Sequence, residues 1–162
     1  MNSTRSSRLL NRLKTPGKAL HVIGLGHFGG NLALIQYLAE QGHPIVLWEQ
    51  GKASLLEKSW KKLSKHHHLI TAHWEEPNPK LPHDDWVFVT PAISWQHPAL
   101  AKVSYDYLST EIEISLTLAE QNKIKIHTVL GSVGKSTCTA LIQNALHIPM
   151  VGNIGCSLLS LL

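Results

Sequence analysis

The chain has 162 residues, 43% of them apolar and 16% charged, the balance of a globular protein with one substantial core. No apolar run approaches the roughly 20 residues needed to span a bilayer, so no membrane partner is expected. The net charge of +4 is concentrated in Arg5, Arg8, Arg12, Lys14 and Lys18, which leaves a near-neutral body without the basic face of a nucleic-acid groove.

In chain order, residues 1–17 read as a basic surface tail, disordered or loosely helical; their Arg- and Ser-rich, acid-free composition is also that of a transit peptide. Ala19 to Ile23 is a short apolar run ended by glycines, and Leu32, Ile35, Leu38 and Ala39 then recur at helical spacing up to Gly42. That pattern predicts a strand, a tight turn and a helix with a glycine C-cap. Pro44 to Trp48 predicts a second buried strand, and Leu56, Trp60 and Leu63 mark a helix whose outer side carries Lys58, Lys61, Lys62 and Lys65. Trp74 to Asp85 is rich in proline and acid and reads as a loop, before Trp86 to Val89 gives a third strand.

Thr110 and Glu113 have the spacing of a capping box, opening a helix whose buried stripe is expected to be Ile112, Leu116 and Ala119. The helix ends at Asn122, where a boundary is expected. Ile124 to Leu130 then alternates as a strand leading into a second glycine loop and an apolar helix, Thr139 to Leu146. Strands alternating with helices predict a parallel α/β sheet: a Rossmann-like domain over residues 18–122, followed by the start of a P-loop domain over 123–162.

Two phosphate-binding devices stand out. In Gly24-Leu25-Gly26-His27-Phe28-Gly29 the first glycine allows a tight turn, Gly26 allows close approach of a phosphate, and Gly29 allows the helix to pack on the strand. The helix N-terminus then offers free N–H groups to an anion. Glu49, about 20 residues further on at the end of the second strand, is where an acid would accept hydrogen bonds from a ribose. This loop alone does not distinguish NAD from another nucleotide. The second loop, Gly131-Ser132-Val133-Gly134-Lys135-Ser136-Thr137, has the core of a P-loop, although Val129 stands where the full motif has its first glycine. It supplies backbone N–H groups, a lysine charge for the β/γ-phosphates of ATP and a hydroxyl for Mg²⁺.

Other features are less informative. His66-His67-His68 are adjacent and point in different directions, so no shared metal ion is expected. His83 and His97 fall in loops without an identifiable acidic partner. Cys138 and Cys156 have neither metal nor redox spacing and read as reduced thiols. The five tryptophans are scattered and read as packing residues.

The order of these segments resembles the Mur ligase family of peptidoglycan synthesis. The resemblance runs through Ile23 to Gly29, Leu38 to His43, Asp85 to Ile93 with His97-Pro98-Ala99-Leu100, Glu111-Ile112-Glu113, the Gly131 to Thr137 loop and Gly152-Asn153-Ile154-Gly155. It implies that the first domain holds the UDP part of a cell-wall precursor rather than a dinucleotide. Gly24, Gly26, His27, Phe28, Gly29, Glu49, Ala92 and Asn153 are then the UDP-substrate residues. It further implies that Gly131 to Thr137 bind ATP, with Lys135 on the transferring phosphate and Ser136 on Mg²⁺ as the catalytic pair.

Within the family, Gly152 to Gly155 favours the branch that joins D-glutamate to UDP-N-acetylmuramoyl-L-alanine. Pro91-Ala92-Ile93 is similar to the branch that joins L-alanine to UDP-N-acetylmuramate. A nicotinamide-dependent oxidoreductase and a nucleotide-binding remnant without catalysis are the other readings. The resemblance implies a cytoplasmic monomer acting in cell-wall biogenesis, cell shape and cell division. Departures are Glu49 where Asp is more usual, Ala92 for a glycine, Leu130 for a threonine and Val133 for an asparagine. The family's later Mg²⁺ ligand, its modified lysine and its amino-acid-binding domain have no counterpart before Leu162, so the chain is expected to be an incomplete, inactive front part.

Overall fold

The computed structural model describes residues 3–25, 30–152 and 156–162. Five short strands form one parallel sheet: β1 (Leu20–Ile23), β2 (Ile45–Trp48), β3 (Ile70–His73), β4 (Val87–Val89) and β5 (Leu108–Ser109). Their order is β3-β2-β1-β4-β5. The chain thus winds one way from β1 and then the other, and the crossover reverses between β1 and β4 in the Rossmann-like manner.

The helices are α1 (Ser3–Lys14), α2 (Gly30–Glu40), α3 (Glu57–Lys62), α4 (Glu111–Gln121) and α5 (Lys135–Leu146). One sheet face presents Leu20, Val22, Ile45, Leu47 and Phe88 to a core completed by Leu9 and Leu13 of α1, Leu34, Ile35 and Leu38 of α2, and Ile114 and Leu118 of α4. The opposite face carries Ile23, Trp48, Val87, Val89 and Leu108. It is covered by the β4–β5 crossover, through Leu100 and Val103, rather than by a long helix. Alternation along each strand sorts the side chains between the two faces.

Several sequence expectations hold. Helix α2 ends in a Schellman arrangement, with His43 N–H on Leu38 O at 3.0 Å and Gly42 N–H on Ala39 O at 2.9 Å. Thr110 caps α4 by accepting from Glu113 N–H at 3.2 Å. The Glu113 carboxylate, however, does not complete the capping box; it accepts from the Ser109 hydroxyl at 2.8 Å and pairs with Arg5.

Four expectations are corrected. The first residues are not a loose surface tail: α1 buries Leu9 and Leu13, and Arg12 grips Asp85 at 2.9 and 3.1 Å. Arg5 also donates to Leu108 O and lies 5.1 Å above the Trp86 ring. The strands β3 and β5 were not expected, because an edge strand of two to four residues carries too little alternation to register. Ile124 to Leu130 forms no strand: it has no ladder partner among the described residues, and the Ile124 N–H instead closes α4 on Ala119 O at 2.8 Å. In α4 the buried stripe is Ile114, Leu118 and Ala119 with Glu111, Ser115 and Thr117, whereas Ile112 is 48% and Leu116 41% exposed.

Candidate functional site

The carboxyl ends of β1, β2 and β4 open into a cavity of about 860 Å³ at the point where the winding reverses. A crevice there is where ligands bind in open parallel sheets, and the volume falls in the usual range for small-molecule sites. Its polar end is built from Gly24, Asn31, Glu49, Gln50 and Thr90. Its apolar wall comes from Ile93 of the crossover and from Ile112 and Leu116, the two α4 residues turned away from the core.

Gly24 is required by geometry. Its φ is +79°, and a Cβ there would stand 2.9 Å from Thr90 Cγ2, so any larger residue would push the first loop away from β4. At the end of β2, Glu49 is held by backbone amides: one carboxylate oxygen accepts from Leu25 N–H at 2.8 Å and the other from Gly51 N–H at 2.9 Å. The acid expected near a ribose therefore also shapes the glycine loop. Each carboxylate oxygen retains a further lone pair for a ligand donor.

Of the sequence-predicted UDP-site residues, Gly24, Glu49 and Ala92 line this cavity together. Gly26, His27, Phe28, Gly29 and Asn153 lie outside the described residues. Asn31 was not singled out from the sequence. It is a polar residue at the second position of α2, among apolar neighbours and directly behind the glycine loop, and that position was the available signal. Its amide nitrogen donates to Gly24 O at 2.5 Å and Ile23 O at 3.2 Å, and the residue is 3% exposed.

A second buried polar cluster borders the cavity. One Glu111 oxygen accepts from Ser115 Oγ at 2.8 Å, from Leu159 N–H at 3.3 Å and from Ser157 Oγ. Ser157 and Leu158 belong to the cavity wall, and Leu159 is buried in the main core. A carboxyl group so placed ties residues 157–161 to the sheet domain, because removing its donors would leave a buried polar group without hydrogen-bond partners.

The Gly131 to Thr137 loop does not line the cavity and is exposed throughout. It ends at Gly134 with φ +79°, from which α5 starts at Lys135. The Lys135 ammonium folds back over the loop and donates to Gly131 O at 2.6 Å and Ser132 O at 3.2 Å. Ser136 stands in the first turn of α5 with an exposed side chain, a hydroxyl able to meet a cation. No residue of α5 is buried.

Among the described histidines, several make ring or hydrogen-bond contacts at or near the surface. His67 stacks on Trp60 with centroids 4.2 Å apart, and His97 accepts from Ala99 N–H at 3.2 Å at the start of a short 3₁₀ turn. His83 bonds Lys102 O at 3.0 Å. Trp48 lies between His73, at 4.2 Å between centroids, and His21, whose Nδ1 accepts from the indole N–H at 3.0 Å. Burial lowers the His21 pKa below 6.5, the neighbouring His73 lowers it further, and Asp85 opposes both. Among the described residues no helix is long and apolar enough to cross a membrane.

The sequence is similar to part of several curated ligases. It is 28% identical over 147 residues to the UDP-N-acetylmuramoylalanine--D-glutamate ligase of Synechococcus sp. strain CC9605, covering 84% of this chain and 31% of that protein. With the enzyme of the same name from Thermosipho africanus the identity is 29% over 146 residues, covering 85% and 34%. With that from Prochlorococcus marinus it is 25% over 155 residues, covering 90% and 33%. The chain thus spans about a third of the length of these relatives and matches their N-terminal part. No family model matches the chain. No solved structure matches it significantly.

Proposed function

We propose that the chain is the N-terminal portion of an ATP-dependent ligase that adds D-glutamate to UDP-N-acetylmuramoyl-L-alanine in peptidoglycan precursor synthesis. The observation that carries this reading is a switch-point cavity lined by Gly24, Glu49 and Ala92 in a chain similar over 84% of its length to a curated D-glutamate ligase. Residues 18–122 are the UDP-substrate domain and residues 123–162 open the ATP-binding domain, in a cytoplasmic, monomeric protein.

Lys135 and Ser136 serve phosphoryl transfer. ATP gives its γ-phosphoryl group to the alanyl carboxylate, ADP leaves, and an acyl phosphate forms. The amine of D-glutamate then attacks the carbonyl carbon, inorganic phosphate departs and the amide remains. Lys135 compensates the charge that spreads over the transferring oxygens; the Ser136 hydroxyl would help to hold Mg²⁺, which would supply further positive charge there. For its part, Lys135 must leave the carbonyls of Gly131 and Ser132 to meet phosphate, an exchange of neutral acceptors for charged ones that favours the bound state.

Calorimetric titration of the chain with UDP-N-acetylmuramoyl-L-alanine and with NAD tests the assignment. Tighter binding of the UDP compound, weakened by Glu49→Ala, is expected. Tighter binding of NAD would sink the ligase reading in favour of an oxidoreductase.

A further inference from the structure

We propose that Asn31 is a positioning residue for the ligand of the switch-point cavity, acting through the single peptide group between Gly24 and Leu25. The C=O of that peptide accepts from Asn31 Nδ2 at 2.5 Å, and its N–H donates to Glu49 at 2.8 Å. One planar unit is therefore held from opposite ends by two side chains from different elements, α2 and the end of β2.

The chemistry of the two ends fixes the orientation. A peptide following a glycine has freedom to rotate, and Gly24, with φ +79°, has no Cβ to restrain it. Rotation by half a turn would set the Leu25 N–H against Asn31 Nδ2, donor facing donor; turning the Asn31 amide to offer Oδ1 instead would lose its bond to Ile23 O and set oxygen against oxygen there. It would also set the Gly24 carbonyl against the Glu49 carboxylate, acceptor facing acceptor. The observed orientation alone satisfies all three contacts, so the pair favours it over the rotated one. Asn31 also donates to Ile23 O at 3.2 Å, which ties the last residue of β1 into the same arrangement.

Packing alone does not account for asparagine here. Its Oδ1 is buried without a hydrogen-bond partner among the described residues, a cost that alanine would avoid. The side chain does not cap α2 either, because a cap must accept a backbone N–H and Oδ1 accepts from none among the described residues. What Asn31 fixes is the orientation of the Gly24–Leu25 peptide, at the Gly24 edge of the cavity. A wall set before the ligand arrives spares the ligand the cost of ordering it. This inference rests on the reading of the cavity as the UDP-precursor site.

The test uses the full ¹⁵N-labelled chain with Asn31→Leu, which keeps the size and removes both polar ends, and Asn31→Asp, which sets an acceptor against two carbonyls. Exchange of the Leu25 amide proton should quicken at least tenfold in both variants, while Val22 and Leu47 amides in the strands keep their rates. Affinity for UDP-N-acetylmuramoyl-L-alanine should fall about tenfold. The effects of Asn31→Leu and Glu49→Gln on affinity should fall short of additive, because both act on one peptide. Unchanged Leu25 exchange in a folded Asn31→Leu chain would overturn the clamp. If neither variant folds, the wild-type chain decides: slowly exchanging Asn31 side-chain amide protons support the clamp, and rapidly exchanging ones overturn it. Leu25 released by the variants in a chain that does not bind the UDP compound would uphold the clamp and overturn the ligand assignment.

Discussion

His21 shows how one residue couples pH to the sheet. Its Nδ1 can accept the Trp48 indole proton only while unprotonated, and burial already lowers its pKa. The unfolded chain therefore binds a proton more readily than the folded one. Stability is fully present above the unfolded value of about 6.5 and declines as pH falls below it. Urea unfolding at pH 7.5 and pH 5 should show this loss in the wild type and a smaller one in His21→Gln, which retains an acceptor but does not titrate. Equal losses in both would remove His21 from the account. At the other loop, Lys135→Ala should weaken ATP binding by about 1–3 kcal/mol, measured by titration in the presence of Mg²⁺. Unchanged affinity would show that ATP, if bound, sits elsewhere. The places of Gly24 and Glu49 at the cavity were legible from spacing, because a tight strand-to-helix turn demands glycine and the end of the second strand faces it. Asn31 was not, since its partners are backbone atoms that only the folded sheet brings near.

Among the elements, α1 departs most from expectation. Its basic residues suggested a solvated tail, yet Leu9 and Leu13 at helical spacing reach the main core, and Arg5 and Arg12 find acids distant in sequence. The pairing with Asp85 and Glu113 is invisible in composition, which records charge but not partner. Leu9→Ala should cost about 2–5 kcal/mol by urea unfolding, the range for emptying a buried leucine site. A cost below about 0.5 kcal/mol would mean that α1 does not stay docked in solution. The central strands β1, β2 and β4 were legible because buried parallel strands are continuous apolar runs, whereas β3 and β5 are short edges. In α4 the apolar period was legible but its assignment to core and cavity was not, because a polar cluster around Glu111 occupies the buried side. Glu111→Ala should free Leu159, seen as faster exchange of its amide proton with the rest of α4 unchanged. No change there would show that the Ser157 cap, which also accepts from Leu159 N–H at 3.1 Å, and apolar packing hold residues 157–161 without Glu111.

At the scale of the whole molecule, the two regions proposed to bind phosphate groups differ in setting. The switch-point cavity has a packed sheet behind it, while the Gly131 to Thr137 loop and α5 stand exposed, and the segment before them pairs with no strand among the described residues. Phosphoryl transfer is catalysed by positioning and charge compensation, and an exposed loop supplies one side of that arrangement without a water-excluding partner. A polypeptide of these 162 residues should therefore release no phosphate coupled to dipeptide formation when given ATP, Mg²⁺, D-glutamate and the UDP precursor. Product detected by mass and abolished by Lys135→Ala would contradict this.

The central claim is that the precursor's UDP portion occupies the cavity between β1 and β4. Amide chemical-shift mapping of the ¹⁵N-labelled chain during titration with UDP-N-acetylmuramoyl-L-alanine tests it most directly. The account predicts that Gly24, Leu25, Gly51, Thr90 and Ala92 shift together along one saturating curve, with the Leu25 amide among the largest because Glu49 holds it. Shifts confined to Ser132 through Thr139, or saturation without movement at Leu25 and Thr90, would contradict it.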